Sequence, residues 1–231
     1  MKTIGLIGGM SWLSTIDYYR IINQQVNRRL GGSHSAKIFL YSVDFEESKP
    51  PADAEGWRIA TDFLSAIANK LQTAGAECLL LCANTTHLVA DGVQQNLKIP
   101  LLHIAEATAS VIKKQAVKKI GLLGTKFTME RDFFKSKLSR QQIETVIPNA
   151  EDRQFIHDSI FNELGKEIFK PETKNRYISI INNLVAQGAE GIILGCTEIP
   201  LLIKQEDSPV PVFDTTLIHA TAAVDFALDV A

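Results

Sequence analysis

The chain of 231 residues carries three cysteines, Cys78, Cys82 and Cys196. Two of them stand where an apolar run empties into a polar turn. One stretch is Leu79-Leu80-Leu81-Cys82-Ala83-Asn84-Thr85-Thr86-His87; the other is Gly191-Ile192-Ile193-Leu194-Gly195-Cys196-Thr197-Glu198-Ile199-Pro200. A thiol in such a place can act as a proton-transfer base or a nucleophile. Ahead of a helix, the thiolate is stabilised by the helix dipole and by unpaired N–H groups. Pro200 suits a first helical turn, so Cys196 is expected just before a helix. Asn84-Thr85 and Thr197-Glu198 form two polar turns at helix starts. Such turns can hold an anion such as an α-carboxylate, and Asn84 and Thr85 can equally serve as ordinary N-caps. His87 follows the cap and reads more readily as structural than catalytic. Lys49 and Lys166 are each able to meet a second carboxylate, although lysines are commonly solvated.

These residues must be positioned by regular elements. Short β-branched or Leu-rich runs predict strands at 3–7, 37–43, 78–82, 101–103, 119–123, 144–146, 191–194 and 210–213. Longer amphipathic stretches predict helices at 13–29, 54–74, 86–96, 105–115, 128–138, 151–164, 173–187 and 216–230. Gly31-Gly32 should stop the first helix, and Lys49-Pro50-Pro51 marks a loop. Strands alternating with helices argue for parallel, doubly wound α/β sheets.

The chain also repeats itself. Lys2-Thr3-Ile4-Gly5-Leu6-Ile7-Gly8 matches Lys118-Lys119-Ile120-Gly121-Leu122-Leu123-Gly124, and Gly75-Ala76-Glu77 matches Gly188-Ala189-Glu190. Ile99-Pro100-Leu101 resembles Val210-Pro211-Val212. The expectation is two pseudo-symmetric α/β domains, flavodoxin-like and three-layered, with a site in the cleft between them, because open α/β sheets bind ligands beyond their strand carboxyl ends. The first half is expected at 1–98 plus 214–231, and the second at 99–213. Gly75 and Gly188 set an offset of 113 residues, which places Cys196 over Ala83 and Gly195 over Cys82. Neighbouring strand side chains point to opposite faces. Cys82 therefore reads as a small buried hydrophobe, and Cys196 as the reactive thiol. Gly124-Thr125 mirrors Gly8-Gly9-Met10-Ser11, and Gly8-Gly9 permits close backbone approach to a ligand.

Composition narrows the function classes. Hydrophobic residues at 45% and charged residues at 22% describe an ordinary globular chain. A net charge of −2 with no basic run argues against nucleic acid. No apolar stretch approaches the ~18 residues of a membrane span. Three cysteines at unrelated spacings suggest neither a disulfide framework nor a zinc site, and point to a reducing cytoplasm. The glycines do not form a dinucleotide fingerprint.

Taken together, Ile4-Gly5-Leu6-Ile7-Gly8-Gly9-Met10, Ala83-Asn84-Thr85-Thr86-His87 and Gly195-Cys196-Thr197-Glu198-Ile199-Pro200 resemble the aspartate/glutamate racemase family, in its cofactor-independent aspartate racemase branch. The resemblance covers almost the whole chain. It implies two α/β halves, a homodimer, an acidic amino-acid substrate, and neither pyridoxal phosphate nor metal. It implies α-carboxylate binding at Asn84, Thr85 and Thr197, with Met10 and Thr125 near the ligand and a basic residue in the Lys166 segment near the side-chain carboxylate. In the family's mechanism two cysteines flank the substrate, one taking the α-proton and the other returning a proton on the opposite face. Here the first cysteine's place beside the substrate is Ala83, and Cys82 falls one residue early. Three consequences follow as expectations: Cys196 works alone on one enantiomer, with Thr85, Thr86 or water on the other face; or the chain carries out a one-cysteine reaction such as decarboxylation of a malonate; or it binds an acidic amino acid without turnover. Outside the family, two similar lobes about a cleft also describe hinged solute receptors, which usually carry export signals.

Overall fold

The computed structural model describes residues 1–49, 51 and 53–229. Pro50, the centre of the expected loop, and Val230, the expected end of the last helix, lie outside the described residues. The chain divides into two compact units, Met1–Ile104 with His219–Ala231, and Ala105–Ile218.

The elements run β1 (Ile4–Gly8), α1 (Trp12–Leu30), β2 (Ile38–Ser42), α2 (Ala54–Ala74), β3 (Cys78–Leu81), α3 (Ala90–Gln94) and α4 (Ile104–Lys114). They continue with β4 (Lys119–Gly124), α5 (Lys126–Glu130), α6 (Asp132–Ser139), β5 (Glu144–Val146), α7 (Ala150–Asn162), α8 (Pro171–Ala186), β6 (Ile192–Gly195), α9 (Ile199–Leu202), β7 (Val212–Asp214) and α10 (Thr215–Ala227). Among the described residues one sheet has the order β2-β1-β3 and the other β5-β4-β6-β7, and every pairing is parallel. The strands β1, β3 and β6 are buried along their whole length. That follows from continuous apolar runs, which parallel strands covered on both faces require.

The internal repeat is a structural repeat. Ile4 pairs with Cys78 in the first sheet and Gly121 with Ile192 in the second. Glu77 Oε2 accepts the backbone N–H of Thr3 at 2.7 Å, and Glu190 Oε2 accepts that of Lys118 at 2.7 Å. Gly75 and Gly188 have φ of 104° and 92°, the left-handed region in which glycine meets no Cβ penalty. The backbone N–H of Leu79 bonds Pro100 O at 2.9 Å, and that of Ile192 bonds Pro211 O at 2.9 Å.

Three elements differ from the sequence expectation. Residues 101–103 form only an isolated bridge, Leu79 with Leu101, because α4 begins at Ile104 and leaves no length for a strand. The helix expected at 128–138 is split at Arg131, whose extended backbone (φ −80°, ψ 160°) ends α5 and starts α6. The helix expected at 86–96 is a 3-10 turn, Thr85–Val89, leading into the short α3. The first helix stops as expected, with the Gly31 N–H on Asn27 O.

Candidate active site

In the first unit, the turn after β3 is held from several sides. The Cys82 N–H donates to Ile7 O at 2.9 Å, and Ser14 Oγ donates to Cys82 O at 3.1 Å. The Cys82 side chain is fully buried among Ile4, Leu6, Tyr18 and Ala220. Ala83 packs instead on the core of the other sheet face, with Met10, Leu81 and Val89. The strand's alternation persists one residue past β3, and it separates residue 82 from residue 83. Burial drives the Cys82 thiol pKa far up, as it drives that of Cys78, to about 12. Both behave as buried hydrophobes.

The Ala83 carbonyl accepts two hydrogen bonds, from Thr86 Oγ1 at 2.9 Å and from His87 Nδ1 at 2.9 Å. Asn84 is buried at the start of the 3-10 turn, and its side chain makes no capping bond. The ordinary capping role is therefore not what Asn84 performs. Met10 lies in the turn after β1, next to Gly9. Gly9 has φ 90°, and a Cβ there would sit 2.1 Å from Val43 O, so only glycine fits.

Behind the turn lies a stack of three buried histidines. The His87 ring is 4.8 Å from His103 and 5.3 Å from His219, centroid to centroid. His219 Nε2 is 2.7 Å from Leu102 O, and its Nδ1 is 2.8 Å from Tyr18 Oη. A carbonyl only accepts, so His219 carries its proton on Nε2 and takes one from the Tyr18 hydroxyl on Nδ1. By the same rule His87 donates from Nδ1 to Ala83 O. Burial lowers the His219 pKa to about 3 and holds that of His87 well below the usual range, and charge repulsion within the stack adds to both. The His87 and His219 imidazoles are neutral structural groups.

In the second unit, Cys196 follows Gly195, the last residue of β6. Gly195 pairs with Gly124, and a Cβ on either would meet the other strand's backbone oxygen within 2.7 Å. The paired glycines bring Thr125 and Cys196 to the ends of adjacent strands. Thr125 is buried and caps α5 through its side chain. Cys196 is 8% exposed and packs beside Tyr177 and Ile199. Its Sγ donates to Glu198 Oε2 at 2.8 Å, and Thr197 Oγ1 donates to the same oxygen at 2.8 Å.

The thiolate expectation is corrected here. The backbone N–H groups of Thr197 and Glu198 do favour the thiolate, but burial and the Glu198 carboxylate outweigh them and raise the Cys196 pKa well above its ordinary value. The helix that follows is only the four residues of α9. Cys196 at rest is a thiol held by a carboxylate. The sequence placed Glu198 only in a turn able to hold an anion; the structure puts its carboxylate on the Cys196 thiol, and its position two residues past the cysteine was the available signal.

Lys166 ends a 3-10 turn, Leu164–Lys166, and is exposed, while Leu164 of that turn shares the core around Cys196. Lys49 is exposed and pairs with Glu46 at 2.5 Å. It lines a chamber in the first unit together with Met10, Thr85 and Thr86. Among the described residues, no three His, Cys, Asp or Glu side chains are placed to hold a metal ion, and no helix is long and apolar enough to cross a membrane.

Comparison with known proteins shows the family and the fold. The family model described as Asp/Glu/Hydantoin racemase matches residues 7–223. A crystal structure of a protein from Yersinia pestis is 51% identical, covers 99% of this chain and 100% of that one, and superposes with a TM-score of 0.93. An aspartate racemase homologue from Pyrococcus horikoshii OT3 is 38% identical over 99% of this chain and 100% of its own, with a TM-score of 0.85. The broad specificity amino-acid racemase RacX of Bacillus subtilis (strain 168) is 26% identical over 229 residues, 96% of each chain.

Proposed function

The chain belongs to the Asp/Glu/hydantoin racemase family, and from that premise we propose that it is an amino-acid racemase, independent of pyridoxal phosphate and of metal, that moves the α-proton of an aspartate- or glutamate-like substrate with Cys196. Asn84, Thr85 and Thr197 hold the α-carboxylate. Met10, Ala83 and Thr125 line the bound ligand, and Lys166 or Lys49 meets the side-chain carboxylate. The enzyme works in the cytoplasm as a homodimer, with all three cysteines reduced. The observation that carries this reading is the Cys196 thiol, buried at a strand end with its Sγ on Glu198 Oε2.

The reaction balances as follows. Cys196 passes its S–H proton to Glu198, and the thiolate takes the proton from the substrate Cα as that C–H bond breaks. The electron pair left on Cα delocalises into the α-carboxylate, whose oxygens are held by hydrogen-bond donors. A proton returned from the Cys196 side regenerates the starting enantiomer. One delivered to the opposite face by Thr85, Thr86 or water gives the other. Ala83 has no proton to give, so inversion is slow, and exchange without inversion is confined to the enantiomer whose Cα–H faces Cys196. A positioned acid or base contributes ~10²–10⁴-fold, and this is the handicap expected from its loss.

The resting state of Cys196 favours a second reading, a one-cysteine decarboxylase. A thiol is the form needed to protonate a carbanion after carbon dioxide leaves a malonate. Binding of an acidic amino acid without turnover is the remaining reading.

Incubation in deuterium oxide with L- and D-aspartate and L- and D-glutamate separates these, with α-proton exchange read by NMR and Cys196→Ala beside each sample. Exchange from one enantiomer, lost in the variant, is the expected result. Ala83→Cys should add exchange from the other. No exchange from any of the four would end the acidic racemase reading and leave the decarboxylase to be tested by carbon dioxide release from malonates.

A further inference from the structure

The peptide joining Ala83 to Asn84 lies between the end of β3 at Leu81 and the 3-10 turn Thr85–Val89. Its carbonyl accepts from Thr86 Oγ1 and from His87 Nδ1, each at 2.9 Å. In a trans peptide the carbonyl and the next N–H point in opposite directions, so whatever holds the Ala83 carbonyl also aims the Asn84 N–H. The two donors are not equivalent. The Thr86 hydroxyl belongs to the turn and ties it only to itself. The His87 ring reaches out of the turn. It lies 4.8 Å from the ring of His103, just before α4, and meets His219 of α10 edge-on at 5.3 Å. His219 is itself fixed by Leu102 O and Tyr18 Oη. The Ala83 carbonyl is thereby referenced to α1, to α10 and to the segment before α4. Packing alone does not account for an imidazole here. His87 is buried, and its Nε2 has no hydrogen-bond partner among the described residues. A buried acceptor left unpaired destabilises a fold, and an apolar side chain would fill the same space without that penalty. What the imidazole supplies is the Nδ1–H on Ala83 O.

We infer that His87 is a positioning residue: through its Nδ1–H bond to the Ala83 carbonyl it sets the orientation of the Asn84–Thr85 turn, and with it the donors that hold the substrate α-carboxylate. The inference rests on the assignment of the α-carboxylate to that turn. His87 lies behind the turn and acts through it. The carboxylate gains charge as the Cα proton leaves, so misaligned donors lose more in the transition state than in the ground state. Small displacements of positioning groups lower rates by up to ~10²-fold.

The test compares three variants of the full chain. His87→Asn keeps an N–H at the same reach from Cβ as Nδ1, but leaves space beside His103 and His219. His87→Leu fills that space better and has no donor. His87→Gln carries its amide one bond farther out. Deuterium exchange at Cα of each aspartate enantiomer, aspartate affinity by titration calorimetry, and the thermal midpoint are read for each, with exchange expressed per folded molecule. Stability and function should rank the variants oppositely. The midpoint of His87→Leu should lie at or above that of His87→Asn. The kcat/KM of His87→Asn should stay within about threefold of the wild type, and that of His87→Leu and His87→Gln should fall by about tenfold or more, mostly in kcat. Aspartate affinity should follow the same order. If His87→Leu does not fold, His87→Gln decides. Variants that all exchange like the wild type, or are all equally impaired, overturn the inference and leave the racemase reading intact. A wild type that binds aspartate without exchanging it ends the racemase reading, and affinity then decides: tight binding kept only by His87→Asn supports the inference, and equal binding by all overturns it. A wild type that neither exchanges nor binds aspartate overturns both.

Discussion

With Sγ 2.8 Å from Glu198 Oε2, Cys196 keeps its proton against a neighbouring negative charge. Replacing Glu198 by glutamine removes the charge but keeps a polar group of similar size. The thiol pKa should then fall, so that alkylation of Cys196 by iodoacetamide begins at lower pH than in the wild type. Cys78 and Cys82 are fully buried with strongly raised pKa values and should contribute no competing signal. Exchange of the substrate α-proton should move the other way and slow by ~10²-fold or more, because the acceptor of the thiol proton is gone. A thiol that becomes more reactive while turnover slows is a combination that simple loss of structure does not produce. The sequence made part of this legible. The repeat offset distinguished Cys82 from Ala83, and the two side chains do enter opposite cores. It could not give the protonation of Cys196, because that depends on which way the Glu198 side chain turns, and spacing along the chain does not record a rotamer.

Among the elements, the 3-10 turn after β3, the start of α4 and α10 meet through His87, His103 and His219, with Tyr18 of α1 closing the stack. The folded-state pKa values of His87 and His219 are lowered, so the unfolded chain binds protons that the folded chain refuses. Stability is then full above the unfolded value, ~6.5, and falls as pH drops from there toward about 3 for His219. The slope approaches ~1.4 kcal/mol per pH unit for each such histidine. Urea midpoints measured from pH 7 to pH 4 should fall steeply in the wild type. His219→Gln should lower stability at pH 7 and flatten the slope by about one proton; an unchanged slope would mean that His219 titrates normally. Most elements were readable from apolar runs and glycine stops, because burial of parallel strands leaves a continuous signal. The histidine stack was not, since its members lie in three segments far apart in sequence. The break at Arg131 was also hidden, because buried Met129, Phe134 and Leu138 keep a near-helical spacing across it.

At the scale of the whole molecule, the two units and their parallel sheets were visible in the repeated motifs, since each half needs the same glycines and the same Gly-Ala-Glu entry to a buried strand. The surface needed for assembly was not visible, because an exposed apolar residue and a buried one look alike in a sequence. On α1, Trp12, Ile16 and Tyr19 are 60%, 52% and 53% exposed, and their spacing puts them on one helix face. On β2, an edge strand, Phe39, Leu40 and Tyr41 are also exposed. An apolar edge strand left open invites association with other chains, and natural proteins usually cover or charge it. Aromatic and aliphatic side chains concentrated in this way are the material of a homodimer's buried core. The proposed dimer should therefore use α1, with Trp12 and Ile16 inside the contact. Light scattering should give about twice the 25.5 kDa chain mass for the wild type. Trp12→Glu combined with Ile16→Glu should give the single-chain mass, since paired like charges in a desolvated interface cost more than the burial returns. Both side chains are more than half exposed, whereas Tyr18, Ile22 and Val26 are the buried residues of α1, so circular dichroism should be unchanged. A double variant that keeps the dimer mass with its helix content intact would move the interface away from α1 and leave the β2 edge as the next surface to test.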